Sequence, residues 1–291
     1  MKIQRATHLG MCFGVRDAIA LATKQAGEKP LTILGELVHN DTVLATLRKK
    51  GIQFAGRAGE VDTEVVMITA HGASEKTIKS LRERNLDVVE ATCPLVHFAH
   101  HSLAKLVRDG FHPIIIGKQE HVEVRGMTED LFEYDVVFSE TDIAKLKERA
   151  RFGIVSQTTQ PIEKVRHLVE LIRQRFPQSE VRFTDTVCQP TKNRQTAAGD
   201  LAKQSDVVIV IGGAQSNNTR ELVATSERFC PRVFHVQTAD DLQMDWFANS
   251  GKVGITAGTS TPNQTIAVVE KRIQEFAATQ QEKLFRPVSV F

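Results

Sequence analysis

Short Val- and Ile-rich runs alternate along this chain with segments whose apolar residues recur at helical spacing. The runs at 31–34, 65–69, 113–117, 135–138, 153–156, 206–211, 232–236 and 253–256 read as strands. The segments at 15–26, 41–50, 74–84, 97–108, 142–149, 162–176, 191–204, 220–229 and 265–278 read as helices, with Asn40 or Asp41 and Ser74 as caps. Such alternation predicts an α/β fold with parallel sheets. Residues 279–291 read as a C-terminal tail.

Three cysteines punctuate this pattern. Cys12, Cys93 and Cys188 each precede a helical segment and recur at intervals the length of a small α/β unit. The step from each cysteine to the next polar motif hardly changes, from Cys12 to His39, from Cys93 to His121 and from Cys188 to Ser216. A second motif follows at His71, Thr158 and Ser260, at a distance that lengthens from unit to unit as loops would make it. Order and spacing predict a degenerate threefold repeat.

Composition narrows the function classes. The formal net charge is +2, with one Trp and one Tyr, which offers neither a broad field nor stacking platforms for nucleic acid. No apolar run approaches a membrane span, and the first residues lack the apolar core of a signal peptide. The expectation is a cytoplasmic protein with reduced cysteines, no nucleic-acid partner and no membrane partner.

In open α/β sheets, ligands bind beyond the carboxyl ends of the strands. Those ends carry His39, His71, His121 with Glu123, Thr158, Ser216 with Asn218, and Ser260. If the three units face inward, these residues line one cavity with the three cysteines. Three thiolates can hold zinc or an iron–sulfur cluster. No close C-x₂-C pair of the structural-zinc kind is present, nor a ferredoxin-like run. A cluster held by three ligands keeps one iron open for substrate. Ser216, Asn218 and Ser260 precede helices, where free N–H groups favour phosphate, and His39 and His71 add donors. No Walker-type Gly-Lys-Ser/Thr is present. Glu123 is the one acid among these motifs and can donate a proton if burial raises its pKa, with Thr158 as orienter or relay. Cys230 matches no register and reads as inert packing. His97, His100, His101 and His112 read as solvated helix or loop positions.

These residues carry a resemblance. Gly10-Met-Cys12-Phe-Gly-Val15, Gly35-Glu-Leu-Val-His39-Asn40, Ala70-His71-Gly72, Ala91-Thr-Cys93-Pro-Leu-Val96, His121-Val-Glu123-Val, Gln157-Thr158-Thr159, Cys188 with Thr191-Lys-Asn-Arg194, Ser216-Asn-Asn218-Thr219 and Ala257-Gly-Thr-Ser260 stand in the order found in one family. The chain resembles the 4-hydroxy-3-methylbut-2-enyl diphosphate reductases over nearly its whole length. The resemblance implies three pseudo-repeated α/β lobes, each with a small, mostly parallel sheet, around a central [4Fe–4S] cluster. It places lobe 1 at 13–92, lobe 2 at 93–183, and lobe 3 at 1–12 with 184–278. Cys12, Cys93 and Cys188 correspond to the cluster ligands. His39, His71, Ser216, Asn217, Asn218 and Ser260 correspond to diphosphate-binding positions. His121, Thr158 and Glu123 correspond to the group around the substrate hydroxyl, with Glu123 in the proton-delivery role. The implied reaction is reductive dehydroxylation to isopentenyl and dimethylallyl diphosphate, the last step of the methylerythritol phosphate route, with ferredoxin or flavodoxin as electron donor. Two stretches depart from the family pattern. Glu120-His-Val-Glu-Val124 stands for the common Gly-His-Pro-Glu-Val, and Ala214-Gln-Ser-Asn-Asn218 for Lys-Asn-Ser-Ser-Asn, so Asn217 replaces a serine.

Two other function classes fit the same residues. One is an iron–sulfur hydro-lyase that uses the open iron only as a Lewis acid on a small phosphorylated substrate. The other is a non-catalytic module that binds a phospho-ligand or zinc.

Overall fold

The computed structural model describes residues 1–285. The strands are β1 (Lys2–Arg5), β2 (Leu31–Leu34), β3 (Gln53–Ala55), β4 (Val65–Ile68), β5 (Asp87–Glu90), β6 (His112–Ile116), β7 (Asp135–Val137), β8 (Arg151–Ser156), β9 (Glu180–Phe183), β10 (Val207–Ile211), β11 (Val233–Val236) and β12 (Lys252–Ala257). The helices are α1 (Phe13–Glu28), α2 (Asp41–Lys49), α3 (Glu75–Glu83), α4 (Pro94–Arg108), α5 (Val122–Thr128), α6 (Glu140–Ile143), α7 (Ile162–Arg175), α8 (Gln189–Ala202), α9 (Asn217–Glu227) and α10 (Asn263–Phe285).

The strands form three four-stranded sheets, all parallel, in the orders β3-β2-β4-β5, β7-β6-β8-β9 and β1-β12-β10-β11. The two inner strands of each sheet are buried on both faces, as in Val207-Val-Ile-Val-Ile211, because helices cover both sides of a parallel sheet. The outer strands are part-exposed and more polar.

Read from its inner strands, each sheet repeats one topology. β2 leads outward to β3 and β4 to β5; β6 leads to β7 and β8 to β9. In the remaining sheet β10 leads to β11, and the outer place beside β12 is taken by β1 from the N-terminus. The third repeat is thus circularly completed by the first residues of the chain. The strand order reverses between β2 and β4, between β6 and β8, and between β10 and β12, and a crevice opens at such a switch point.

The chain divides into two compact units, Phe13–Lys192, which holds two of the sheets, and Met1–Cys12 with Asn193–Phe291, which holds the third. The core of the first unit includes Phe152 and Ile154 against Val165 and Ile172 of α7. That of the second packs Ile209 and Ile255 against Val269 and Ile273 of α10.

Four local expectations change. The stretch 118–126 reads from sequence as a polar motif, and its second half is helix α5. The helix expected at 142–149 is the four-residue α6, because Asp142 turns back to accept the Phe138 and Ser139 N–H groups and so marks a helix start. The last helix continues to Phe285 instead of stopping at 278, and the part of the expected tail at 286–291 lies outside the described residues. His112 is 8% exposed and bonds Asp135 through Nε2 at 2.8 Å, and His100 is half-buried, so neither is a solvated position. Cys230 is buried in an apolar cluster, as expected.

Candidate active site

In each repeat the cysteine lies just beyond an outer strand and at the start of a helix. Cys12 follows β1 and precedes α1, Cys93 caps α4, and Cys188 precedes α8. Each cysteine N–H donates, at 3.0 Å, to a carbonyl just past the neighbouring inner strand. The acceptors are Thr259 for Cys12, Ala70 for Cys93 and Thr158 for Cys188. The matching spacings in sequence therefore reflect one hydrogen-bonded corner, built three times. The residues after those carbonyls are Ser260, His71 and Thr159.

The unit Phe13–Lys192 brings three predicted histidines together. The His39 and His71 rings stack at 4.7 Å, and His121 meets them edge-on at 5.2 and 5.6 Å. Asn40 caps α2 by accepting the Val43 N–H, which fixes the turn after His39. His121 caps α5, its Nδ1 accepting the Glu123 N–H. Burial holds His71 well below the usual imidazole range, and His39 and His121 push it further. Burial, then His39, Lys118 and Arg125, lower His121 to about 3. Both rings are neutral at pH 7, and each carries a single N–H donor. His71 Nδ1 is buried without a hydrogen-bond partner. Such an atom suits a polar ligand, since leaving it unmatched costs about 1–3 kcal/mol.

Glu123 lies in the first turn of α5 and is 1% exposed. Its Oε1 accepts the Thr158 N–H at 2.6 Å and its Oε2 accepts the Thr158 hydroxyl at 3.0 Å. Burial pushes its pKa up to about 7, against the two Thr158 bonds, which pull it down. A carboxyl at that value is half-protonated near neutral pH, as a general acid needs. Thr158 links this acid to Cys188, since its carbonyl accepts the Cys188 N–H.

Sequence reasoning missed the residues that seat these groups. A Cβ on Gly14 would lie 2.5 Å from Cys93 Sγ, so only glycine leaves the thiol its place. Cys188 Sγ lies 3.0 Å from the hydroxyl of Thr191, which is fully buried one turn into α8. A Gly14→Ala variant should keep its helix content but retain less iron per chain than wild type after anaerobic reconstitution, because overpacking costs about 1–3 kcal/mol. Wild-type iron in that variant would refute the role given to Gly14.

In the second unit Ser216 caps α9, accepting the Thr219 N–H. Helix α9 starts at Asn217, ahead of the expected Arg220, so Asn217 and Asn218 occupy its first turn and are buried. Asn218 Oδ1 accepts the Thr259 N–H at 3.0 Å, and the Thr259 carbonyl holds Cys12. Asn218 Nδ2 is buried without a partner. Ser260 is buried between β12 and α10. Arg194 donates from Nε and a terminal nitrogen to the Gly10 carbonyl at 3.0 and 2.7 Å and steadies the run into Cys12. A helix start with an orphan amide donor is suited to an anion.

The model of the LytB protein family matches residues 3–274. The chain belongs to the LytB family. Among its LytB relatives, the 4-hydroxy-3-methylbut-2-enyl diphosphate reductase of Aquifex aeolicus (strain VF5) is 36% identical over 282 residues, 94% of this chain and 96% of that one. The reductase of the same name from Acinetobacter baumannii (strain AYE) is 34% identical over 297 residues, covering 98% and 93%. A solved structure of (E)-4-hydroxy-3-methyl-but-2-enyl diphosphate reductase, described as the terminal enzyme of the non-mevalonate pathway, superposes with TM-score 0.69 at 36% identity, over 94% of this chain and 100% of that one. The Plasmodium falciparum E-1-hydroxy-2-methyl-but-2-enyl-4-diphosphate reductase gives TM-score 0.87 at 27% identity, over 94% and 87%.

LytB proteins bind a [4Fe–4S] cluster, and the donors of this chain suit one. Cys12, Cys93 and Cys188 are half-buried, none is in a disulfide, and each stands at a helix start, where a thiolate's charge is favoured. The missing side chain of Gly14 keeps space at Cys93. Among the described residues no three His, Cys, Asp or Glu side chains gather to hold a single metal ion. A cluster makes a different demand, because each thiolate binds its own iron. Among the described residues no helix is long and apolar enough to cross a membrane.

Proposed function

We propose that this chain reduces 4-hydroxy-3-methylbut-2-enyl diphosphate to isopentenyl and dimethylallyl diphosphate. The observation that carries the reading is the match to relatives named as this reductase along 93–98% of both chains. Glu123 supports it, as a buried acid bonded to Thr158 beside the His39–His71–His121 group.

In this reading Cys12, Cys93 and Cys188 hold the cluster, within lobes at 13–92, 93–183, and 1–12 with 184–278. The cluster, when bound, supplies one-electron transfer and a Lewis-acidic iron. The chain's residues do the rest. His39 and His71 donate N–H groups to the diphosphate. Ser216, Asn217, Asn218 and Ser260 offer hydroxyl, amide and helix-start N–H groups to the same anion. His121 and Thr158 orient the substrate hydroxyl. Glu123, in its protonated form, gives a proton as that hydroxyl leaves as water. Overall the C–OH bond breaks, a C–H bond forms, and two electrons and two protons are consumed. The electrons come from a ferredoxin or flavodoxin, in the cytoplasm.

A hydro-lyase working through the same groups would need no reductant. Anaerobic assays with and without reduced methyl viologen separate the two. The reductase consumes substrate only when viologen is present, and consumption without it would favour the hydro-lyase.

A further inference from the structure

Within Phe13–Lys192 the histidine group is assembled from two sheets. His39 and His71 follow β2 and β4 of one sheet, and His121 and Glu123 follow β6 of the other. Ring contacts of 5.2 and 5.6 Å demand a fixed register between them. A cavity of about 320 Å³ is lined by Gly35, Arg57, Ser74 and Arg125. Another of about 210 Å³ is lined by Glu75, His100, Met127 and Asp130. Gly126 of α5 comes close to Ala73, where an added Cβ would lie 3.5 Å from the Ala73 Cα.

The end of α5 sends two carboxylates to the start of α3, and residues of the two segments line both cavities. Asp130 Oδ2 accepts the Glu75 N–H at 2.7 Å, and Oδ1 accepts the Lys76 N–H at 3.0 Å. Glu129 Oε2 accepts the Ser74 hydroxyl at 2.8 Å and the Thr77 hydroxyl at 3.4 Å. Lys76 Nζ donates to the Glu129 carbonyl at 2.6 Å. Ser74 Oγ takes the Thr77 N–H at 3.1 Å. The first three N–H groups of α3 are therefore all satisfied, two of them by a carboxylate from the other sheet. The geometry is charge-assisted, and it is favoured by the positive end of the helix.

We infer that Glu129 and Asp130 are positioning residues that lock α5, and with it His121, against the His39–His71 side of the diphosphate site. The inference rests on the reductase reading for its kinetic consequence and on the clamp geometry alone for its mechanical one. Glu123 rides on the same helix, but its carboxylate has a second anchor. Its two oxygens accept the Thr158 N–H and hydroxyl, and the Thr158 carbonyl accepts the Cys188 N–H, so this anchor does not run through Glu129 or Asp130. Loosening the clamp thus weakens anion binding more than it slows proton delivery.

The test uses the full-length, anaerobically reconstituted protein carrying Asp130→Ala, Asp130→Asn, or Glu129→Ala with Asp130→Ala. The double variant should raise KM for 4-hydroxy-3-methylbut-2-enyl diphosphate about tenfold, with a smaller loss of kcat and iron unchanged. Asp130→Asn keeps one acceptor oxygen, should fall between, and serves if the alanine variants fail to fold. Hydrogen exchange at 75–77 and 121–128 should quicken by about tenfold in the double variant and stay unchanged in β6 and β8. A variant that merely destabilises the protein would lose kcat, through its active fraction, at constant KM, and that pattern overturns the inference. So does unchanged exchange at α5. Failure of the wild-type protein to reduce the substrate would sink the reductase reading, while the exchange measurement still decides whether the clamp holds α5.

Discussion

Glu123→Gln should retain wild-type iron and lose turnover by about a hundredfold or more, the usual weight of a positioned general acid. Glutamine fills the same space and still accepts one Thr158 bond, so the loss reports the missing proton. The pH profile supplies the internal check. Glu123 titrates at about 7 in the folded chain against an ordinary 4.5, because burial disfavours its charge. Wild-type turnover should fall as pH rises through 7, and that limb should vanish in the variant. Stability carries the same sign. A carboxyl whose folded pKa is raised stabilises fully below its unfolded value and loses that contribution as pH rises through the folded one. The difference amounts to roughly 3 kcal/mol. The wild-type protein should therefore lose Tm between pH 5 and 8 relative to Glu123→Gln. A wild-type rate in the variant, or parallel Tm curves, would remove Glu123 from the mechanism.

Cys188→Ala should abolish turnover by more than about a hundredfold, since losing an outer-shell partner of a metal ligand alone costs 10–100-fold. The protein should still fold. Cys188 is half-buried, and its backbone N–H, which ties it to Thr158, survives the substitution. Near-native far-UV dichroism with loss of the visible iron–sulfur absorption is the expected pair of results. Normal absorption and turnover in Cys188→Ala would show that this thiol is not a ligand.

The inner strands were legible because a parallel sheet covered on both faces selects unbroken apolar runs, as in Val207–Ile211. β1 was not, because Lys2-Ile-Gln-Arg5 is an exposed outer strand whose identity comes only from pairing Ile3 with Val253. Helix α5 escaped notice because seven residues give no readable period, though it carries Glu123. The cysteine corners left a trace in spacing, because each closes one repeat of fixed topology. Contacts made across the chain left none. Nothing local to Gly14 points to Cys93, nothing in Asn218 points to Thr259, and nothing near Ser74 points to Glu129. His112 was misread for a related reason, since its partner Asp135 lies on the next strand over.

The most direct measurement is anaerobic purification with iron and sulfide analysis, followed by a count of electrons per substrate. The account predicts a brown protein with about four iron and four sulfide per chain, as a [4Fe–4S] centre requires. It also predicts two equivalents of reduced methyl viologen oxidised for each 4-hydroxy-3-methylbut-2-enyl diphosphate consumed. A colourless protein, or substrate consumed with no viologen oxidised, would contradict it.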